Sequence, residues 1–257
     1  MADYDDRTLR GSVGVAGAID AGLRAYMLRV YNYMLVGLGI TGFASWATYQ
    51  LATTTDPATA AARLGNGVML TSLGVTVFTG PLMWVLVLAP LGLVMFLSFR
   101  INRMSVVAAQ TTFWVYAGLV GVSLASILVV YTGASVAQTF FITAATFGAM
   151  SLYGYTTQRD LSGFGSFLFM GLIGIVLASV VNIFIASSAL QFAISAIGVL
   201  VFTGLTAYDT QRIKEVYLAS DPGDVLTKKA LMGALALYLD FVNLFVMLLQ
   251  LTGQRRS

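Results

Sequence analysis

Seven long apolar runs constrain the fold of this chain more than any other feature. Each approaches or exceeds the roughly 20 residues that an α-helix needs to cross the hydrocarbon core of a membrane. Only 10% of the residues are charged, whereas soluble domains carry roughly 25% because their surface faces water. We therefore predict an all-α integral membrane protein whose seven transmembrane helices are surrounded by a lipid bilayer. The predicted spans are 26–51, 78–99, 110–131, 136–157, 164–186, 189–211 and 229–251.

The chain divides into two segments by polarity. The first 20 or so residues carry several charges, among them Asp3, Asp5, Asp6, Arg7 and Arg10. This composition is unlike the short basic region of a cleaved signal peptide. We predict a polar cytoplasmic tail over 1–25 and a membrane domain over 26–257.

Composition also limits the chemistry. The chain contains no Cys and no His, which excludes disulfides, thiolate nucleophiles, imidazole bases and the usual zinc ligands. A net charge of +3 is too small to favour nucleic acid as a partner. We expect neither an enzyme nor a bound cofactor.

The lysines and arginines predict the orientation. Eleven of them flank the spans on the side of the N-terminus, and three, Arg63, Arg255 and Arg256, lie on the other side. Cytoplasmic loops of membrane proteins carry the excess of basic residues. We therefore predict a cytoplasmic N-terminus and an external C-terminus, which an odd number of spans requires.

Two of the eleven acidic residues, Asp209 and Asp240, lie inside predicted spans. Asp240 lies eleven residues beyond Lys229, which at about 1.5 Å per residue places it roughly 16 Å deep, near the middle of the bilayer. Asp209 enters from the same side, three residues before Arg212. A charge at membrane depth costs about 2.5–3.5 kcal/mol on insertion scales, and such residues usually face the interior of the bundle and serve a function.

Two carboxylates that face each other in a low-dielectric site cannot both remain ionised. A shared proton would make the pair a pH sensor, and the deprotonated pair would offer hard oxygen ligands to Ca²⁺. Alternatively, each Asp is protonated and bonded to a neighbour, Thr206 for Asp209 and Asn243 for Asp240. Thr206, Asn243 and Asn182 are also candidates for lining a polar path.

The last third of the chain resembles a known family. The stretches AYDTQRIK (207–214) and LYLDFVNLF (237–245) resemble the paired C-terminal signature of the Bax inhibitor-1 family, the transmembrane Bax-inhibitor-motif proteins with YccA-like bacterial members. The stretch GYTTQRDLSGFGSFLFMGLIGIV (154–176) is similar to the fourth loop and fifth helix of that family. The resemblance implies a bacterial inner-membrane protein of seven helices, with the last helix enclosed by the other six.

The resemblance also implies a function, namely a pH-sensitive calcium leak governed by the pair Asp209 and Asp240, with Ca²⁺ as the transported ion. It implies a basic latch at the end of the second helix, for which Arg100 matches best and Arg103 next. An acidic residue that some bacterial members have in that helix is absent here, where Ala89 and Pro90 stand.

Three other classes of protein are alternatives to a calcium leak. An intramembrane aspartyl protease would use Tyr208 and Asp209, but its partner motif is GxGD, whereas this chain has LYLD at 237–240. A retinal protein needs a Lys deep in its last helix, where this chain has only Lys229 at the edge. A membrane regulator without transport activity, for example one that binds a quality-control protease, remains the alternative.

The charge distribution leads to a test of orientation. A reporter enzyme fused after Ser257 should be active only if it is an external reporter such as a phosphatase. A cytoplasmic reporter that is active at this position would contradict both the orientation and the odd number of spans.

Overall fold

The computed structural model describes residues 2–256, with side chains described for 21–256. The chain there is 81% helical, which confirms the all-α class. The elements in chain order are α1 (Ala2–Ala52), β1 (Thr53–Thr54), β2 (Ala62–Arg63), β3 (Met69–Leu70), α2 (Ser72–Phe78), α3 (Leu82–Arg100), a 3-10 turn (Ile101–Arg103), α4 (Val106–Val130), α5 (Gly133–Thr156), α6 (Ser162–Ile185), α7 (Ser188–Glu215) and α8 (Gly223–Thr252).

Six helices of the described chain, α3 to α8, are long and apolar enough to cross a membrane. The predicted first span lies within α1, where polar residues such as Arg29 and Asn32 lower the hydropathy. The count of seven spans therefore stays a prediction, as does the division into a tail and a membrane domain. The side chains of residues 1–20 lie outside the described part of the chain.

The predicted second span begins too early. The structure ends α2 at Phe78 and starts α3 at Leu82, with Pro81 as the N-cap residue of α3. Proline favours the first positions of a helix because its missing N–H is not needed there. The Gly80–Pro81 pair thus separates a short helix from the membrane helix.

Hydroxyl side chains cap the N-termini of three of the long helices. The side chains of Ser105, Thr132 and Ser187 each accept a hydrogen bond from a backbone N–H in the first turn of α4, α5 and α7, respectively. Such caps satisfy amides that have no partner within the helix, typically with about 1 kcal/mol of stabilisation.

Helix α8 is the centre of the bundle. It packs against α1, α4, α5 and α7, while α3 packs on α4 and α6 packs on α7. Leu231, Leu237, Tyr238 and Leu244 of α8 are completely buried. Four helices therefore form most of the enclosure predicted for the last helix, with α3 and α6 in more peripheral positions.

The residues at one end of the bundle include all three basic residues predicted to be external. Strands β1 and β2 both pair antiparallel with β3, and Arg63 lies in β2. The nearby Asn66 amide donates to the Val129 carbonyl, and Arg255 pairs with Tyr131 at the turn between α4 and α5. The predicted grouping of these residues is confirmed, whereas the side of the membrane that this end faces stays a prediction.

Gly154 allows α5 to approach α7 closely. A Cβ atom added at Gly154 would lie 2.1 Å from the carbonyl oxygen of Ala207. Small residues permit such contacts between membrane helices. This contact helps to position the segment of α7 that contains Asp209.

The close approach predicts a difference between two glycines of α5. Gly154→Ala should lower the melting temperature of the purified protein, since overpacking typically costs about 1–3 kcal/mol. Gly148→Ala is the matched control because a Cβ atom there would meet nothing within 4 Å. Thermal unfolding in detergent should show a clear loss only for Gly154→Ala, and equal melting temperatures would contradict the packing.

Candidate functional site

The antiparallel packing of α7 and α8 brings Asp209 and Asp240 together. Both residues line one cavity, and the two carboxyl groups interact electrostatically. Asp240 is only 4% exposed, and Asp209 is half-buried. Because an ionised carboxylate only accepts hydrogen bonds, a bond between the two requires a proton on one of them.

One oxygen of this pair has no protein partner. Asp240 Oδ2 is buried and accepts no hydrogen bond from the described residues. An isolated buried charge costs several kcal/mol. The pair therefore needs either a shared proton or a cation that neutralises it.

Two cavities meet at this pair. The first, which we call the basic cavity, has a volume of about 410 Å³ and lies between α1, the 3-10 turn, α7 and α8. The second, which we call the side cavity, has a volume of about 600 Å³ and lies between α6, α7 and α8. Asp209 and Arg212 line both cavities, whereas Asp240 lines only the side cavity.

Arg212 is the basic residue that interacts with the aspartate pair, as the latch residue was predicted to do. It lies one turn after Asp209 on α7, and its positive charge acts on the Asp209 carboxylate. The sequence placed Arg212 three residues after Asp209 but gave no role to it. The spacing of three residues, which places two side chains on the same helix face, was the signal that could have identified it.

Arg100 and Arg103 lie apart from the pair in this conformation. Both are exposed, neither lines the basic cavity or the side cavity, and the described residues offer neither of them an acidic partner. The latch stays a prediction that concerns another conformation.

The three candidate polar residues have different positions. Thr206 is completely buried and donates to the Phe202 carbonyl of its own helix. Asn243 lines the side cavity and donates to the Leu239 carbonyl. Neither bonds to the pair, so the alternative partners suggested for the two aspartates are not found here.

Asn182 lies at the far end of α6. It donates to Gln191 and accepts from the Ser187 amide at the turn into α7. Gln191 precedes Asp209 by 18 residues, which corresponds to about 27 Å along α7. Asn182 therefore shapes the α6–α7 turn rather than the surroundings of the pair.

Two polar contacts that the sequence analysis did not find hold α7 in place beside Asp209. The hydroxyls of Tyr31, Ser151 and Thr210 form a chain with distances of 2.8 and 3.0 Å. Gln211 accepts from the Leu161 amide and donates to the Arg159 carbonyl, which fixes the α5–α6 connection to α7. These partners come from three other elements, so no sequence spacing could have indicated them.

The described residues form no group of three or more Asp, Glu, His or Cys side chains. The pair thus contributes two carboxylates without a third acidic side chain beside them in the described part of the chain.

Together, the apolar helices and the buried carboxyl pair define an all-helical integral membrane protein with an ionisable centre. A family model described as "Inhibitor of apoptosis-promoting Bax1" matches residues 23–257. The chain belongs to the Bax inhibitor-1 family, as the sequence resemblance predicted.

Bacterial relatives agree with this assignment. The inner membrane protein YbhL of Escherichia coli (strain K12) is 47% identical over 239 residues, which cover 92% of this chain and 94% of YbhL. An uncharacterized protein of Rickettsia prowazekii is 46% identical over 238 residues, covering 93% of each chain. A more distant uncharacterized relative from Borreliella burgdorferi is 39% identical over 234 residues, 90% of this chain and 93% of the relative.

The different exposure of the two aspartates can be measured directly, because the chain contains no native Cys. A thiol at Asp209→Cys should react with a water-soluble maleimide faster than a thiol at Asp240→Cys, since only position 209 lines the basic cavity. We expect a ratio of labelling rates of about ten or more, because a buried thiol stays protonated and inert. Asn102→Cys, an exposed position on the same cavity, is the control for access. Equal rates at 209 and 240 would contradict the geometry.

Proposed function

We propose that the protein is a pH-sensitive calcium leak in the bacterial inner membrane, controlled by protonation of Asp209 and Asp240. The observation that supports this proposal is a buried carboxyl pair, with one unpartnered oxygen, at the wall between two cavities. The protonated pair is neutral and stable without a cation. The deprotonated pair attracts one.

Calcium fits the chemistry of the deprotonated pair. Ca²⁺ prefers oxygen ligands and takes about 6–8 of them, so two carboxylates bind it only weakly unless water supplies the rest. Conduction requires binding strong enough for entry and weak enough for release. Two carboxylates beside cavities of about 410 and 600 Å³ would meet both requirements, whereas a complete ligand set would retain the ion.

Beyond Asp240, toward the predicted outer side, α8 continues with aromatic residues. Phe241 and Phe245 of α8 both contact Phe140 of α5. They border a cavity of about 350 Å³ whose lining is mostly hydrophobic. Because hydrophobic constrictions block ions by excluding water, we assign this conformation to a closed state.

In this proposal the protein has no catalytic activity and no cofactor. Asp209 and Asp240 act by exchanging a proton and by contacting a passing cation. The latch residues Arg100 and Arg103 keep their proposed role in another state. No described contact favours the regulator alternative, in which a membrane protease would be the partner.

The proposal predicts how the two aspartates depend on each other. Calcium efflux from liposomes that contain the purified protein should change between pH 6 and pH 8. Asp240→Asn and Asp209→Asn should each abolish this change, because Asp209 alone is half-buried and no longer faces a like charge, whereas Asp240 alone stays buried and keeps its proton. The double variant should add little, since the pair acts as one unit.

Asp56→Asn is the matched control, because Asp56 is an exposed loop aspartate at the other end of the bundle. It should leave the pH profile unchanged. Single variants that still respond near neutral pH, or effects that add in the double variant, would show that the two residues do not work as a pair. An absence of calcium flux at every pH would refute the leak and leave the regulator alternative.

A further inference from the structure

The basic cavity contains more positive charge than its acidic residues balance. Three basic side chains line it, Arg212, Lys228 and Lys229, and Asp209 at its inner end is its sole acidic lining residue. Lys229 is paired with Asp221 outside the lining and also donates to the Val216 carbonyl. The described residues provide no hydrogen bond or ion pair for the side chains of Arg212 and Lys228.

The start of α8 adds to this positive potential. Val225 in the first turn of α8 lines the cavity, and the N-cap residue, Pro222, has no side chain that could cap the helix. Uncapped amides at a helix N-terminus attract anions, together with the partial positive charge of the helix dipole. Asp224 in the same turn is exposed and does not line the cavity.

The cavity also offers neutral donors and enough room for a ligand. Tyr26 and Asn102, whose side chains carry a hydroxyl and an amide donor, line the cavity. Its volume of about 410 Å³ falls within the usual range for ligand sites, about 300–1,000 Å³. A guanidinium matches the oxygens of a phosphate group in pairs, and a lysine adds a compact charge. A ligand with two or more negative charges would balance the charges of Arg212 and Lys228.

We propose that the basic cavity binds a phosphate-bearing anion, held by Arg212, Lys228 and the first turn of α8. The phosphate group belongs either to a soluble phosphate compound or to the headgroup of an anionic lipid. Because Arg212 lines both cavities, the bound anion would compete with Asp209 for this guanidinium. That last consequence rests on the proposed function, whereas the binding itself does not.

The binding can be tested without any flux measurement. The full chain in nanodiscs of phosphatidylcholine is titrated with inorganic pyrophosphate by calorimetry, with sodium chloride of equal ionic strength as the reference. We expect saturable binding that weakens at least about fivefold in Lys228→Gln and in Arg212→Gln, the factor for one pair of charges about 4 Å apart in bulk water. Arg212→Lys, which keeps the charge, separates loss of charge from misfolding.

Arg63→Gln is the matched control, because it removes an equal charge from an exposed position at the other end of the bundle. Its affinity for pyrophosphate should equal that of the unmodified protein. The proposed site would be overturned if the titration gave no saturable heat of binding, or if the affinity for pyrophosphate fell equally in all the Gln variants. A failed calcium assay would instead affect only the proposed function.

A second set of nanodiscs distinguishes the two sources of phosphate. If phosphatidylglycerol in the bilayer displaces pyrophosphate, the site accepts a lipid headgroup. If pyrophosphate binds equally well in both bilayers, the site belongs to soluble phosphate compounds. In either case, the proposal holds only if binding weakens in Lys228→Gln and in Arg212→Gln.

Discussion

The contact between two carboxyl groups inside an apolar bundle is the constraint on which the rest of the structure depends. Asp209 and Asp240 belong to neighbouring helices, and Asp240 is almost completely buried. A buried carboxylate is costly unless it is paired or neutralised, so a proton or a cation must balance the charge of the pair. Every element around the pair either holds these two groups together or controls what reaches them.

The scaffold holds α7 from several sides at once. Gly154 lets α5 approach its backbone, and Gly165 of α6 makes room for the ring of Tyr208. The hydroxyl chain ending at Thr210 and the two bonds of Gln211 add polar anchors directly after Asp209. A site whose ionisation depends on distance needs this rigidity, because the interaction between like charges weakens steeply as they separate.

Arg212 connects the pair with the basic end of the bundle. It lines both cavities and acts electrostatically on Asp209. A single side chain shared between a carboxylate and an anion-attracting cavity can couple the two sites, since whatever binds to it changes the balance of charge at the other. The geometry thus gives the ionisable centre an electrostatic contact with the surface, although Asp240 itself is buried.

The sequence by itself determined the class of the protein, its family and the two central residues. Long apolar runs require a membrane, and a charged residue inside such a run is so costly that it stands out in the sequence. Only the tertiary structure decided which groups surround the pair. Arg100 and Arg103 lie apart from the pair in this conformation, and Thr206 and Asn243 bond to their own helices. Helix periodicity places residues on a face, but the rotation and packing of helices, which depend on contacts between distant segments, determine what that face meets.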